Sequence, residues 1–134
     1  AIWGDPNVIV TSDDPRAFSS LPGFFDIVVA DVPCSGEGMF RKDENAINEW
    51  SEENVKMCAE RQKEILENAA ICLKDGGYII YATCTFSLDE NEMTVDAFLK
   101  EHPEFELVKA KDEVIEKVME IRSQMFASIN EKVK

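Results

Sequence analysis

Two short apolar runs on either side of one long amphipathic segment constrain the fold of this chain most strongly. Residues 26–31 read DIVVAD, and residues 78–82 read YIIYA. Runs of this length with β-branched side chains are typical of strands buried on both faces of a parallel sheet. Between them, residues 51–74 carry apolar or small side chains at spacings of three, four and seven, which predicts a helix with one buried stripe. Strand, helix and strand in this order predict an α/β fold with a right-handed parallel crossover.

Weaker patterns extend this alternation in both directions. Residues 7–11 and 105–108 are predicted as two further, shorter strands. The sequence SLDE at residues 87–90 matches a capping box and predicts the start of a helix that ends near residue 103. Residues 111–133 have the spacing of a long amphipathic helix.

Glycine and proline mark the limits of the predicted elements. Gly76 and Gly77 are expected to end the long helix by providing a left-handed C-cap. Pro33 is expected to end the strand at residues 26–31. In the long loop that follows, Gly36 and Gly38 allow turns or a close backbone approach.

The composition limits the class of protein. With 134 residues, 45% of them hydrophobic, the chain can bury the core of one domain. No charged leader with an apolar region follows the start, no apolar stretch nears 18 residues, and the four cysteines form no CxxC pair. These features predict a cytoplasmic protein in a reducing compartment, with no disulfide, membrane span or metal site. Cys58 and Cys72 lie on one face of the predicted helix and are interpreted as small core residues.

The charge argues against a surface that binds nucleic acid everywhere. The formal net charge is −13, which repels a polyanion. Arg41 and Lys42 form the one dense basic spot near a motif, and two charges are a weak signal. An RNA partner would therefore need a local basic patch or another domain.

Acids and thiols follow three of the predicted strands. Asp13 and Asp14 come after the first, the run from Asp31 to Cys34 after the second, and Cys84 after the third. In open parallel sheets ligands bind beyond the carboxyl ends of the strands, so these groups are expected to converge. An acid there can hold a nucleoside cofactor, although aspartate also favours turns for local reasons.

The residues Asp31-Val32-Pro33-Cys34 resemble the motif of methyltransferases that act on exocyclic amino groups, with a thiol in place of the aromatic residue. A thiol can attack carbon, and C5 of a pyrimidine is too weak a nucleophile to accept a methyl group until a thiolate adds at C6. The residues alone do not decide whether Cys34 or Cys84 is the attacking thiol.

Longer motifs make the resemblance specific: DVPCSGEGMFRKD at residues 31–43, Trp50-Ser51, TCT at residues 83–85, and the following ENE at residues 90–92. Together they resemble the RNA (cytosine-5) methyltransferases of the Nop/Sun type, in particular the RsmF-like bacterial branch. The match runs from about residue 7 to residue 107. It implies a partial doubly wound, Rossmann-like methyltransferase sheet, S-adenosyl-L-methionine as cofactor, and an RNA substrate that would be ribosomal RNA, with transfer RNA as a second option.

The resemblance also implies roles for individual residues. Cys84 would be the nucleophile that attacks C6 of cytosine, and Cys34 would assist release of the 5-methylcytosine product. Asp31 would contact both the cytosine ring and the methionine end of the cofactor. Asp13 would hold the adenine, with Asp14 as the alternative.

The resemblance implies a division of the chain as well. Residues 1–110 would be the C-terminal half of a methyltransferase domain, and residues 111–134 an amphipathic helical tail of no assigned function. The glycine-rich cofactor turn expected before the first strand is absent from the sequence, so the isolated chain is predicted to be an inactive fragment. The alternative hypothesis is a non-catalytic remnant that acts as a folded or interaction module. Neither hypothesis specifies an oligomeric state.

Overall fold

Parallel β-strands joined by a long helix form the centre of the molecule. The computed structural model of the protein describes residues 8–109. In this part of the chain the strands and α-helices follow one another in this order: β1 (Phe25–Asp31), α1 (Glu44–Glu49), α2 (Glu52–Cys72), β2 (Leu73–Ala82) and α3 (Glu92–Glu101). Two short 3-10 helices, Pro15–Ser20 and Glu37–Met39, lie on either side of β1. β1 pairs with β2 in parallel, so the predicted α/β class and the strand, helix, strand order are confirmed.

Helix α2 begins where the sequence provides a cap. The Ser51 side chain accepts a hydrogen bond from the Asn54 backbone N–H at 3.1 Å, and two glutamates occupy the first turn, where they complement the helix dipole. The helix buries one stripe against the sheet: Val55, Ala59, Gln62, Leu66, Ala69 and Cys72. Cys72 is buried and Cys58 is half-buried, so neither thiol is presented at the surface as a reactive group.

The two strands are in regular register at their carboxyl ends. Pairs run without interruption from Ile27 opposite Tyr78 to Asp31 opposite Ala82. One further hydrogen bond, from the Val32 N–H to the Ala82 carbonyl at 3.0 Å, continues the pairing beyond β1. The loops that leave the two strands therefore start side by side.

The amino ends of the strands are irregular, and here one prediction is wrong. Helix α2 ends at Cys72, with Leu73 as an extended C-cap, and not at the Gly76-Gly77 pair. Leu73 already pairs with Phe25, so the residues up to Gly77 form an irregularity inside β2. Gly76 has φ +75°, and a Cβ on Gly77 would lie 2.8 Å from the Asp26 carbonyl oxygen. Because Leu73 is already paired with β1, the helix ends before the two glycines. The glycines instead allow the bend in β2 and its close approach to β1.

Two predicted strands are also wrong. Residues 8–11 form no strand, and Ile9 is 91% exposed; residues 105–108 form none either, and Leu107 is 80% exposed. An apolar run becomes a strand only when a neighbouring strand takes up its backbone hydrogen bonds, and within residues 8–109 neither run has one. Residue 7 and the predicted helix at 111–133 lie outside the described residues.

The predicted capping box is wrong as well. Helix α3 begins at Glu92, and residues 88–91 form turns before it. The Ser87 N–H donates to the Thr85 hydroxyl oxygen at 3.1 Å, so this segment folds back on the end of β2. Glu90, the acid of the proposed box, points into the protein and is fully buried.

All of these elements belong to one compact unit, Ala1–Glu101. The second unit, His102–Lys134, contributes residues 102–109 to the described part, where the His102 ring hydrogen-bonds to Glu104 at 2.9 Å. Between residues 8 and 109, no helix combines the length and the apolar character that crossing a membrane requires.

Candidate active site

Two cysteine thiols meet beyond the carboxyl ends of the paired strands. Cys34 lies in the loop after β1 (residues 32–38, the Cys34 loop), and Cys84 lies in the loop after β2 (residues 83–91, the Cys84 loop). Their sulfur atoms are 2.8 Å apart and either can donate the hydrogen bond that joins them. Both are free thiols, Cys34 half-buried and Cys84 exposed. The convergence of the two thiols, expected from the strand order, is therefore present.

The contact between the thiols changes the acidity of Cys84. The hydrogen bond with Cys34, followed by burial and by charge repulsion from Cys34 and Asp31, raises the pKa of Cys84 to about 11. In this geometry Cys84 is a protonated thiol at neutral pH. Loss of its contact with Cys34 would remove the largest cause of the raised pKa.

The aspartates singled out from the sequence are not all at this site. Asp31 is the last residue of β1, exposed, and near enough to act on Cys84 through its charge. Asp14 instead caps the 3-10 helix Pro15–Ser20. Its Oδ1 accepts a hydrogen bond from the Arg16 N–H at 3.0 Å, and its carboxylate pairs with the Arg16 guanidinium at 2.9 Å. These hydrogen bonds lower the pKa of Asp14 to about 2. Asp13 is exposed next to it, and among the described residues no contact joins Asp13 to the thiols.

The backbone of the Cys34 loop binds directly to that of the Cys84 loop. The Gly38 N–H donates to the Cys84 carbonyl oxygen at 2.7 Å. A Cβ on Gly38 would lie 2.3 Å from that oxygen, which leaves space for glycine alone. Gly36 has φ +87°, so it supplies the turn before this contact. Both expected uses of glycine, a turn and a close approach, occur in this loop.

The Glu37 side chain makes a second connection between the loops. Its Oε2 accepts from the Phe86 N–H at 2.8 Å and from the Thr85 hydroxyl at 3.1 Å. The Cys34 loop thus holds the chain at Cys84 itself and at the two residues that follow it.

A buried carboxylate forms the third connection. Glu90 is fully buried, and its Oε1 accepts from the Ser35 N–H and from Gln62 Nε2, each at 2.9 Å. Its Oε2 accepts from the Ser35 hydroxyl at 2.5 Å. In the sequence Glu90 belongs to a predicted capping box and to the ENE motif, and neither pattern reveals this buried role.

Gln62 and Tyr81 complete the buried polar network around Glu90. Gln62 Nε2 also donates to the Pro33 carbonyl oxygen at 2.9 Å. The Tyr81 hydroxyl lies 3.0 Å from Gln62 Oε1 and 2.6 Å from the Glu90 carbonyl oxygen. Burial, and then the charge of Glu90, raise the pKa of Tyr81 well above its usual value. A polar residue in the buried stripe of α2 was the one sequence signal that could have revealed Gln62.

Asn91 shapes the rest of the Cys84 loop. Its Nδ2 donates to the carbonyl oxygens of Thr85 at 3.2 Å and Ser87 at 2.8 Å. Its Oδ1 accepts from the Thr83 hydroxyl at 2.7 Å. Through these bonds Asn91 joins Thr83, Thr85 and Ser87, the residues on both sides of Cys84.

An apolar groove of about 410 Å³ runs along β1 toward Asp31. Its volume is within the range of small-molecule sites. It is lined by Pro15, Phe18, Phe25, Ile27, Val28, Val29, Ala30, Asp31, Val32, Pro33, Ile65, Asn68, Ala69 and Cys72. A cofactor with an apolar face and a charged end could use such a groove. Over residues 8–109 the His, Cys, Asp and Glu side chains form no group of three or more that could hold a metal ion.

Solved structures with this arrangement of elements are known. A chain titled "Crystal Structure of PH0851" has a TM-score of 0.65 and 35% identity, covering 68% of this chain and 20% of that one. NSun6 from Pyrococcus horikoshii, solved with SFG, has a TM-score of 0.60 and 26% identity, covering 72% of this chain and 24% of that one. The likeness confirms the Rossmann-like fold class.

Two curated relatives of this chain share one name. Ribosomal RNA small subunit methyltransferase F of Psychromonas ingrahamii is 45% identical over 107 residues, 76% of this chain and 22% of the relative. The protein of that name from Serratia proteamaculans is 42% identical over 97 residues, 72% of this chain and 20% of the relative. The chain therefore spans about a fifth of the length of these relatives.

The family model described as 16S rRNA methyltransferase RsmB/F matches residues 3–132, nearly the whole chain. The resemblance stated from the motifs is thereby confirmed, and the chain belongs to the RsmB/F family of 16S rRNA methyltransferases.

Proposed function

We propose that this chain carries the catalytic thiols of an enzyme that transfers a methyl group from S-adenosyl-L-methionine to C5 of a cytosine in small-subunit ribosomal RNA. The observation that carries the proposal is the 2.8 Å contact between the sulfurs of Cys34 and Cys84 at the ends of adjacent parallel strands. Family membership and the names of the relatives support the ribosomal substrate. The NSun6 structure with SFG, an analogue of S-adenosylmethionine, supports the cofactor.

Two thiols and one acid are the groups that this chemistry requires. In the proposed reaction Cys84 gives its proton to solvent and its sulfur forms a bond to C6 of the cytosine, while the Asp31 carboxyl group hydrogen-bonds N3. The electron pair of the C5–C6 double bond then makes C5 nucleophilic. When bound, S-adenosylmethionine would supply the methyl group that C5 accepts and would leave as S-adenosylhomocysteine. Removal of the C5 proton to solvent, which Cys34 would assist, lets the C5–C6 double bond form again while the bond between Cys84 and C6 breaks and Cys84 leaves as a thiolate.

The resting geometry holds the nucleophile in its unreactive form. The raised pKa of Cys84, about 11, keeps its thiol protonated while Cys34 is in contact with it. In the proposed reaction a cytosine bound over Cys84 takes the place of the contact between the two sulfurs, which would remove the largest cause of the raised pKa. Substrate binding would in this way activate the thiol that attacks the substrate.

The residues present fit the proposed cofactor. The apolar groove along β1 ends near Asp31, and the exposed Asp13 carboxylate is available for a hydrogen bond from an adenine amine. Both oxygens of the Asp14 carboxylate are bonded to Arg16, which favours Asp13 over Asp14 as the adenine contact. Asp31 would contact the methionine end. We assign residues 1–110 to the C-terminal half of the methyltransferase domain.

Matched serine variants of the two cysteines test this proposal. In the longest natural form of the protein that carries this sequence, Cys84→Ser is expected to abolish methylation and to form no adduct with ribosomal RNA. Cys34→Ser is expected to accumulate a covalent protein–RNA adduct, visible as a slower band in a denaturing gel. Cys58→Ser, in the half-buried thiol of α2, is the control and should retain methylation. Methylation by Cys84→Ser would contradict the assignment.

A second measurement separates the enzyme from the alternative of a non-catalytic module. Calorimetric titration of the same protein with S-adenosylmethionine is expected to show binding at micromolar strength. A module would show no binding heat and no adduct with either serine variant. The isolated 134-residue chain is expected to bind weakly or not at all.

A further inference from the structure

We infer that Glu90 is a positioning residue for the thiol pair: its buried carboxylate, with Gln62, fixes the Cys34 loop in place beside Cys84. The inference about geometry stands on the described contacts, and its meaning for methyl transfer rests on the proposed function. Glu90 itself does not touch either sulfur in the described contacts. It acts through the backbone on both sides of Cys34.

The Glu90 side chain reaches from the Cys84 loop to the Cys34 loop. It lies at the end of the Cys84 loop, yet its two carboxylate oxygens accept three hydrogen bonds, two of them from Ser35. Ser35 follows Cys34 directly in the sequence. The N–H of Ser35 is part of the peptide unit that also carries the Cys34 carbonyl, so holding it limits rotation of the Cys34 main chain.

The residue on the other side of Cys34 is held by the same hydrogen-bond network. Gln62 Nε2 donates one hydrogen to Glu90 Oε1 and the other to the Pro33 carbonyl oxygen, each at 2.9 Å. Pro33 precedes Cys34 directly. The residues before and after Cys34 are therefore both tied to one buried pair, and helix α2 supplies the rigid support for it.

Burying the Glu90 carboxylate is energetically unfavourable. A fully buried carboxylate loses its hydration, and across residues 8–109 no Lys or Arg side chain forms an ion pair with Glu90. Hydrogen-bond donors compensate only in part for the missing cation. An apolar residue would fill the same space without this cost. The carboxylate is useful because its directed hydrogen bonds specify one position of the Cys34 loop.

The test measures the thiol geometry without requiring methylation. In glutathione buffers, the reduced pair exchanges with glutathione disulfide to give a Cys34–Cys84 disulfide and two glutathione molecules, and the equilibrium constant reports how well the two sulfurs are held together. A Lys or Arg lies between every two successive cysteines, so trypsin places all four in different peptides and mass spectrometry identifies the bridge. Glu90→Gln is expected to lower this constant about tenfold, because the NH2 group that replaces Oε2 cannot accept the hydrogen bond that the Ser35 hydroxyl donates to the carboxylate.

Three further variants make the result specific. Glu92→Gln removes the same charge from an exposed position two residues away and should leave the constant unchanged. Leu73→Ala removes a buried side chain at the opposite end of the strands and should lower stability without changing the constant. Ser35→Ala removes the Oγ donor alone. In the double variant with Glu90→Gln, the exchange constant is expected to fall by less than the product of the two single decreases, because both substitutions remove the same hydrogen bond.

The outcomes distinguish this inference from the proposed function. If Glu90→Gln lowers the exchange constant no more than Leu73→Ala does, the positioning role is wrong and Glu90 is merely structural. If the constant falls as expected but the native protein shows no methylation, the positioning role stands and the proposed function fails. Where methylation is active, Glu90→Gln is expected to lower kcat about tenfold with little change in the KM for S-adenosylmethionine.

Discussion

The two ends of the β1–β2 pair are built from the same strands and differ in how they treat polar groups. At the carboxyl end the register is regular, and the Cys34 and Cys84 loops are joined by hydrogen bonds to the buried side chains of Gln62 and Glu90. At the amino end the register shifts, and the polar contact is an exposed ion pair between Lys74 and Asp26 at 3.1 Å. Buried hydrogen bonds specify a geometry because breaking them leaves groups unsatisfied, whereas a solvated ion pair can be replaced by water. The site lies at the end where polar groups are buried.

The largest expected effect comes from removing the amide that supports Glu90. Gln62→Leu leaves the buried carboxylate with fewer donors and the Tyr81 hydroxyl with one acceptor fewer, so the free energy of unfolding should fall by about 3 kcal/mol. Denaturation in urea, followed by circular dichroism, measures it. A loss below about 1 kcal/mol would mean that water replaces the amide and that the carboxyl end is not distinct from the amino end.

Alanine at two glycines probes both ends with one chemical change. In Gly38→Ala the new methyl group meets the Cys84 carbonyl oxygen, and in Gly77→Ala it meets the Asp26 carbonyl oxygen and Leu73. Each substitution should lower stability by about 2 kcal/mol through overpacking. Gly38→Ala should in addition change the alkylation rate of Cys84, which Gly77→Ala should leave as it is. Equal effects of the two substitutions on Cys84 would contradict the separation of the two ends.

The acidity of Cys84 gives a smaller, pH-dependent difference. Cys34→Ala removes the largest cause of the raised pKa, so the pKa of Cys84 should fall from about 11 toward 9.0 and its alkylation by iodoacetamide at pH 8 should become about tenfold faster. Rates are measured peptide by peptide, with Cys58→Ala as the control that leaves Cys84 unchanged. An unchanged rate would show that burial, and not the Cys34 contact, sets the pKa.

The raised pKa of Cys84 also makes the stability of the fold depend on pH. The folded protein holds the Cys84 proton more tightly than the unfolded chain, because the pKa rises from 9.0 to about 11 on folding. This contribution is therefore complete below about pH 9 and is lost as the pH rises to about 11. Cys34→Ala should show less of this loss in denaturation curves recorded across that range.

The smallest expected effect is at the amino end. Lys74→Ala breaks the ion pair with Asp26, whose side chains are 47% and 65% exposed, so stability should change by less than about 0.5 kcal/mol. Urea denaturation at low and at high salt checks it. A larger loss would mean that the irregular end is as specifically built as the thiol end.

Local patterns predicted the central elements because their information lies within each segment. The spacing of apolar residues in α2 and the β-branched run of β1 identify a helix and a strand without reference to the rest of the chain. The same reasoning failed for residues 8–11 and 105–108, which have apolar composition but no neighbouring strand in the described part. It also failed at residues 87–90, where hydrogen bonds from Ser35 and Gln62 to Glu90 form in place of the local capping box.

The sequence by itself determined the chemistry available to this protein: two thiols and an aspartate, each placed where an apolar run ends, within motifs that identify the family. Only the tertiary structure decided which of these groups meet, because a 2.8 Å contact between residues 50 positions apart depends on strand register and loop geometry. It also decided the role of Glu90, which the sequence places in a predicted capping box and which is fully buried in the fold. Burial and hydrogen-bond partners are properties of packing, so neighbours along the chain do not encode them.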